Sequence, residues 1–132
     1  MSDESDEIKT ILIVDDNNDV RVMIRHHVES LKCRVIEAFN GQEAIEVVTR
    51  KRPDLILMDL NMPMMDGLSA ARAIRQNEEL RSIPIIAITA YGSFGIDFYS
   101  HVDDLGAAPL EYLAKPFDLH QLTFLINNLL RN

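Results

Sequence analysis

Three short stretches of this chain carry no polar residue: Ile11-Leu12-Ile13-Val14, Leu55-Ile56-Leu57-Met58 and Ile85-Ile86-Ala87-Ile88. Such runs are the pattern of strands covered on both faces. Arg34-Val35-Ile36 and Tyr112-Leu113-Ala114 are weaker candidates for a second and a fifth strand. Between the runs the period changes. Val20, Met23, Ile24, His27, Val28 and Leu31 recur at three and four residues, which places them on one helical face. Ala44, Ile45, Val47 and Val48 predict a second helix, entered through Asn40-Gly41 and separated by Pro53 from the next strand. Leu68, Ala71 and Ile74 predict a third, opened by Asp66-Gly67. Asp118 is placed to cap a last helix with Leu119, Leu122, Ile126 and Leu129 on one face. Residues 92–105 fit neither period.

Five strand–helix repeats with buried strands predict an α/β domain with a parallel sheet between two helical layers. Right-handed crossovers reduce the topologies to a few. The expected one is the flavodoxin-like (βα)5 doubly wound fold, a five-stranded parallel sheet of order 2-1-3-4-5. With 132 residues and 47% hydrophobic content there is room for one domain with an ordinary core. Residues 1–7 form an acidic tail expected to be disordered, and 8–131 the domain. A formal net charge of −8 argues against binding to a nucleic-acid backbone. The single cysteine, Cys33, excludes an intrachain disulfide and a multi-cysteine zinc site; it is expected to be a buried thiol. No apolar run approaches the ~18 residues of a membrane span, and the N-terminus has no signal-peptide character. A cytoplasmic protein without membrane association is expected.

In open α/β sheets the ligand crevice lies at the carboxyl ends of the strands. Asp15 and Asp16 follow the first strand, Asp59 the third, Thr89 the fourth and Lys115 the fifth. In the order 2-1-3-4-5 these four strands are contiguous. An aspartate after a strand is often only a turn or helix cap, and Thr89 or Lys115 alone is an ordinary surface residue. Their agreement with the topology is what separates them from that reading. Three clustered carboxylates repel one another, so the site would raise a pKa or recruit a cation. Hard oxygen ligands suit Mg²⁺. Thr89 offers a hydroxyl and Lys115 a positive charge. The set suits phosphoryl transfer, with Asp59 as nucleophile.

The motifs ILIVDDNNDVR (11–21), DLILMDLNMPMMDG (54–67), PIIAITA (84–90) and EYLAKPF (111–117), in this order, resemble the receiver domain of two-component response regulators. The resemblance runs from about Ile8 to Leu130. It implies that Asp59 is the phosphoacceptor and that Asp15 and Asp16 hold Mg²⁺ together with Asp59. It also implies a backbone carbonyl of Asn61 on the metal, and contacts from Thr89 and Lys115 to the phosphoryl group. Thr89 and the strand aromatic Tyr112 would form the switch, and the Lys115-Pro116 bond would be cis. The implied phosphodonor is a sensor histidine kinase or histidine phosphotransfer protein. The implied readout surface for a downstream protein is the helix before strand five, strand five and the last helix. A self-phosphorylating, self-dephosphorylating phosphoacceptor with no separate substrate is therefore expected.

The span from Thr89 to Lys115 covers 26 positions, and half of the eight aromatics lie in Tyr91–Tyr99. A lengthened loop covering the core and a modified partner surface both account for it; Gly92 and Gly95 weaken a helix there. A short, displaced or mobile fourth helix is expected. Two alternatives keep different chemistry: an interaction module without phosphorylation, and an aspartate-nucleophile phosphohydrolase. The second wants another aspartate two residues after the nucleophile, where this chain has Asn61. His26, His27, His101 and His120 lack metal-ligand spacing, and His27 is expected to be half-buried packing.

Overall fold

The computed structural model describes residues 7–60, 67–90 and 110–131. Its order is β1 (Thr10–Val14), α1 (Asn18–Ser30), β2 (Arg34–Ala38), α2 (Gly41–Lys51), β3 (Leu55–Asp59), α3 (Gly67–Gln76), β4 (Ile85–Ala90), β5 (Leu110–Lys115) and α4 (Leu119–Arg131). All strand pairings are parallel. The sheet order is β2-β1-β3-β4-β5, as expected from the alternation. Four helices lie among the described residues, where (βα)5 calls for five. The segment expected to hold the remaining helix, and the expectation that it is short or displaced, fall outside the described residues.

The apolar strands alternate between two cores. Leu12, Val14, Ile56, Met58, Ile85 and Ala87 pack on α2 and α3 through Ala44, Val48, Ala71 and Ile74. Ile11, Ile13, Leu55, Leu57, Ile86 and Ile88 pack on α1 and α4 through Ile24, Val28, Leu122 and Ile126. Successive strand side chains point to opposite faces, so a run apolar at every position feeds both layers. The edge strands are longer than their apolar stretches predict. β2 extends to Ala38 and is mostly half-exposed; β5 spans Leu110–Lys115.

Side-chain caps set where the helices begin. The Asn17 Oδ1 accepts from Val20 N, the Asn40 Oδ1 from Glu43 N, and the Asp118 Oδ1 from Gln121 N at 2.8 Å. Gln121 Oε1 accepts from Asp118 N in return, closing a capping box. The half-buried His27 does more than pack: its Nε2 is 2.6 Å from Thr123 Oγ1, joining α1 to α4. Cys33 corrects the expectation of a buried thiol. It is half-buried just before β2, where burial, then the charge of Asp54, raises its pKa.

Lys32 follows α1 at φ 67°, a left-handed conformation that disfavours a Cβ. Lys32→Gly is expected to raise the urea midpoint, by about 0.5–1 kcal/mol in stability. Ile56→Ala, inside the α2–α3 core, is expected to lower stability by about 2–5 kcal/mol in the same measurement.

Candidate functional site

The register brings the polar strand ends together. Val14 pairs with Met58, so Asp15 and Asp59 follow side by side on β1 and β3. Asp59 pairs with Ile88, Thr89 with Ala114, and Ala90 with Lys115. Asp59, Thr89 and Lys115 are thus the terminal residues of their strands, or one short of it, not residues of the following loops. Their backbone positions are fixed by the sheet ladder.

One carboxylate oxygen from each of Asp15, Asp16 and Asp59 lies within 4.8 Å of the others. Asp15 and Asp59 are each 2% exposed, whereas Asp16 is exposed. Lys115 Nζ stands 3.3 Å from Asp59 Oδ2. Thr89 is half-buried on β4. The Lys115-Pro116 bond is cis. Tyr112 is half-buried against the α2–α3 core, and its hydroxyl is buried. Asn61 lies outside the described residues, as do Met62, Met64, Met65 and His101.

The Asp15 loop is held from three sides. Asp15 N donates to Ala38 O at 3.2 Å, and the Asp15 Oδ1 accepts from Asn17 N at 2.9 Å. The Asp15 carbonyl accepts from Arg21 Nη1 at 2.9 Å. The other carboxylate oxygen, Oδ2, is buried and meets no hydrogen-bond donor among the described residues. Burial raises the Asp15 pKa to about 6; the charges of Asp59 and Asp16 add to the rise, while the Asn17 hydrogen bond and Lys115 oppose it. A buried carboxylate oxygen without a donor, beside two further carboxylates, is a donor set that fits a hard divalent cation.

Arg21 and Glu37 were not singled out by the sequence pattern. Arg21, Ile24 and Val28 are the buried residues of α1. The available signal was a charged residue at helical spacing on an otherwise apolar stripe. Burial raises the Glu37 carboxyl, but the hydrogen bonds and charges of Arg21 and Arg25 outweigh this and hold it below its ordinary range.

Folded Asp15 keeps its proton to about pH 6, against an ordinary value of 3.8. Its contribution to stability is therefore full below the ordinary value and lost as pH rises through about 6. In EDTA at pH 7, Asp15→Asn is expected to be more stable than the parent by about 1–3 kcal/mol in urea unfolding, the gap closing toward pH 4.

Residues 11–127 match the family model described as "Response regulator receiver domain". The chain is 36% identical over 112 residues to the sporulation initiation phosphotransferase F of Bacillus subtilis, covering 85% of this chain and 86% of that one. It spans only 30% and 52% of two longer relatives, a protein-glutamate methylesterase of Hahella chejuensis and the phosphate regulon regulator PhoB of Pseudomonas aeruginosa. Among solved structures, the receiver domain of the sensor histidine kinase PA1611 from Pseudomonas aeruginosa superposes with a TM-score of 0.80. The two are 34% identical, and the match covers 96% of this chain and all of that one. That structure holds a magnesium ion in its active-site cleft. The motif order, the sheet topology, the acidic cluster and these likenesses agree: the chain belongs to the response regulator receiver domain family.

Proposed function

We propose that Asp59 is the residue on which this receiver domain is phosphorylated, and that Asp15, Asp16 and Asp59 hold Mg²⁺ for the transfer. Receiver domains take a phosphoryl group on an aspartate with Mg²⁺ and act as switches in two-component signalling. The observation that carries the assignment is the placement of Asp59. It is buried, in contact with Lys115 at 3.3 Å and within the carboxylate cluster. The unpartnered Asp15 Oδ2 supports metal occupancy of that cluster. A backbone carbonyl of Asn61 completes the proposed ligand set.

Bound Mg²⁺ supplies neutralising charge to the phosphoryl oxygens and to the carboxylates around them. An Asp59 carboxylate oxygen forms the bond to phosphorus. The donor's phosphorus–nitrogen bond breaks, and its electron pair leaves with the imidazole nitrogen, which takes up a proton. Lys115 then pairs with the phosphoryl group, releasing part of its hold on Asp59, and Thr89 donates its hydroxyl to a phosphoryl oxygen. No separate substrate is turned over. The donor is a histidine kinase or histidine phosphotransfer protein.

Thr89 on β4 and Tyr112 on β5 are the proposed switch pair. The neighbouring cleft of about 430 Å³, lined in part by Tyr112, Asp118, His120, Gln121 and Phe124, is part of the proposed surface for a downstream protein. Phe124, 64% exposed on α4, offers that surface an apolar contact. The reading extends to a cytoplasmic location, with no nucleic-acid or membrane partner; among the described residues no helix is long and apolar enough to cross a membrane.

Intact mass after incubation with acetyl phosphate tests the assignment. A gain of one phosphoryl group with Mg²⁺ is expected, absent with EDTA and absent in Asp59→Ala. Uptake that persists in Asp59→Ala would place the modification elsewhere. No uptake, together with no binding of beryllofluoride, would favour an interaction module without phosphorylation.

A further inference from the structure

We infer that Arg21 is a positioning residue for the metal site: its guanidinium fixes the peptide between Asp15 and Asp16 and so aims the Asp16 carboxylate. This rests on the proposed Mg²⁺-dependent phosphorylation.

Arg21 is 6% exposed, on the buried stripe of α1, and makes three different hydrogen bonds. Nη1 donates to the Asp15 carbonyl at 2.9 Å, Nη2 to Asn18 Oδ1 at 2.7 Å, and Nε to Glu37 Oε1 at 2.8 Å. The Phe39 ring lies 4.3 Å from the guanidinium carbon. Three acceptors and a ring face together fix both the plane and the position of the guanidinium, which an ammonium group cannot reproduce. The Asp15 carbonyl belongs to the peptide that carries the Asp16 nitrogen. Its orientation therefore sets the direction in which Asp16 leaves the chain. Asp16 is exposed, and among the described residues no hydrogen bond or ion pair holds its side chain, so its aim depends on its backbone.

The arrangement also addresses charge. A bare cation six residues from Asp15 would oppose a divalent ion through the same low-dielectric edge. Glu37 accepts from Arg21 and, through Oε2 at 2.6 Å, from Arg25. The Glu37 carboxylate thus offsets the Arg21 charge while leaving its Nη1 donor on the Asp15 carbonyl. Arg25 shares Glu37 but does not touch the acidic loop, which makes it the control.

The experiment compares the full chain with Arg21→Lys and Arg25→Ala. Mg²⁺ binding is measured by calorimetry, phosphorylation from acetyl phosphate at saturating Mg²⁺ by intact mass, and stability by urea unfolding. In Arg21→Lys the Mg²⁺ Kd is expected to rise at least about tenfold, with the rate at saturating Mg²⁺ within about threefold of the parent. Arg25→Ala is expected to keep the parent's Kd even where its urea midpoint falls as far. A parent-like Mg²⁺ Kd in folded Arg21→Lys overturns the positioning role and leaves the proposed function standing, as does an equal rise in Kd in both variants. No Mg²⁺ binding and no phosphoryl uptake by the unsubstituted chain overturns the proposed function, and the positioning role with it.

Discussion

Three carboxylates at the carboxyl edge of an otherwise apolar sheet repel one another, and the local structure is organised around that repulsion. Asp15 and Asp59 extend from strands whose other residues fill two cores. Neither side chain can swing into solvent without disturbing the strand ladder that precedes it. The sheet therefore imposes the closeness that Coulomb repulsion opposes. Part of the opposition is met by the Lys115 ammonium on Asp59, and part by holding Asp15 protonated to about pH 6 in the absence of metal. The proposed divalent cation would remove what is left.

The surrounding elements convert this constraint into a usable site. Asn17 serves both sides: its backbone donates to Asp15, and its side chain caps α1. Arg21, one turn into that helix, reaches back to the same loop. The start of α1 and the geometry of the acidic loop are thus one structure. On the other flank, β4 and β5 present Thr89 and Lys115 at staggered register positions. Tyr112, on the same strand as Lys115, packs inward against the α2–α3 core. Asp59 on β3 is two strand pairings from β5, and the Lys115–Asp59 ion pair spans that separation directly.

Much of this was legible in the sequence because the strands of the sheet centre are buried on both faces. Ile11–Val14, Leu55–Met58 and Ile85–Ile88 admit no polar residue, so they stand out without any period. The site was legible because polar groups follow four strands that the topology makes neighbours. The edges were harder. β2 pairs on one side only and carries Glu37, which reads as a break in a strand until Arg21 and Arg25 are seen opposite it. The unequal burial of Asp15 and Asp16 was not legible either, since adjacent residues at a strand end part company only when the following turn is known. Arg21 was hidden for a related reason: a charged residue on an apolar stripe is recognised as buried only when its acceptors, distant in sequence, are in place.

The most direct test of the central claim, that a divalent cation relieves the repulsion among Asp15, Asp16 and Asp59, is the stability of the unphosphorylated chain in Mg²⁺ against EDTA at pH 7. At Mg²⁺ about 100 times its Kd, the folded state is expected to gain about 2.7 kcal/mol, with most of that gain lost in Asp16→Asn. Equal stability in Mg²⁺ and EDTA, or the same gain in Asp16→Asn as in the parent, would contradict it.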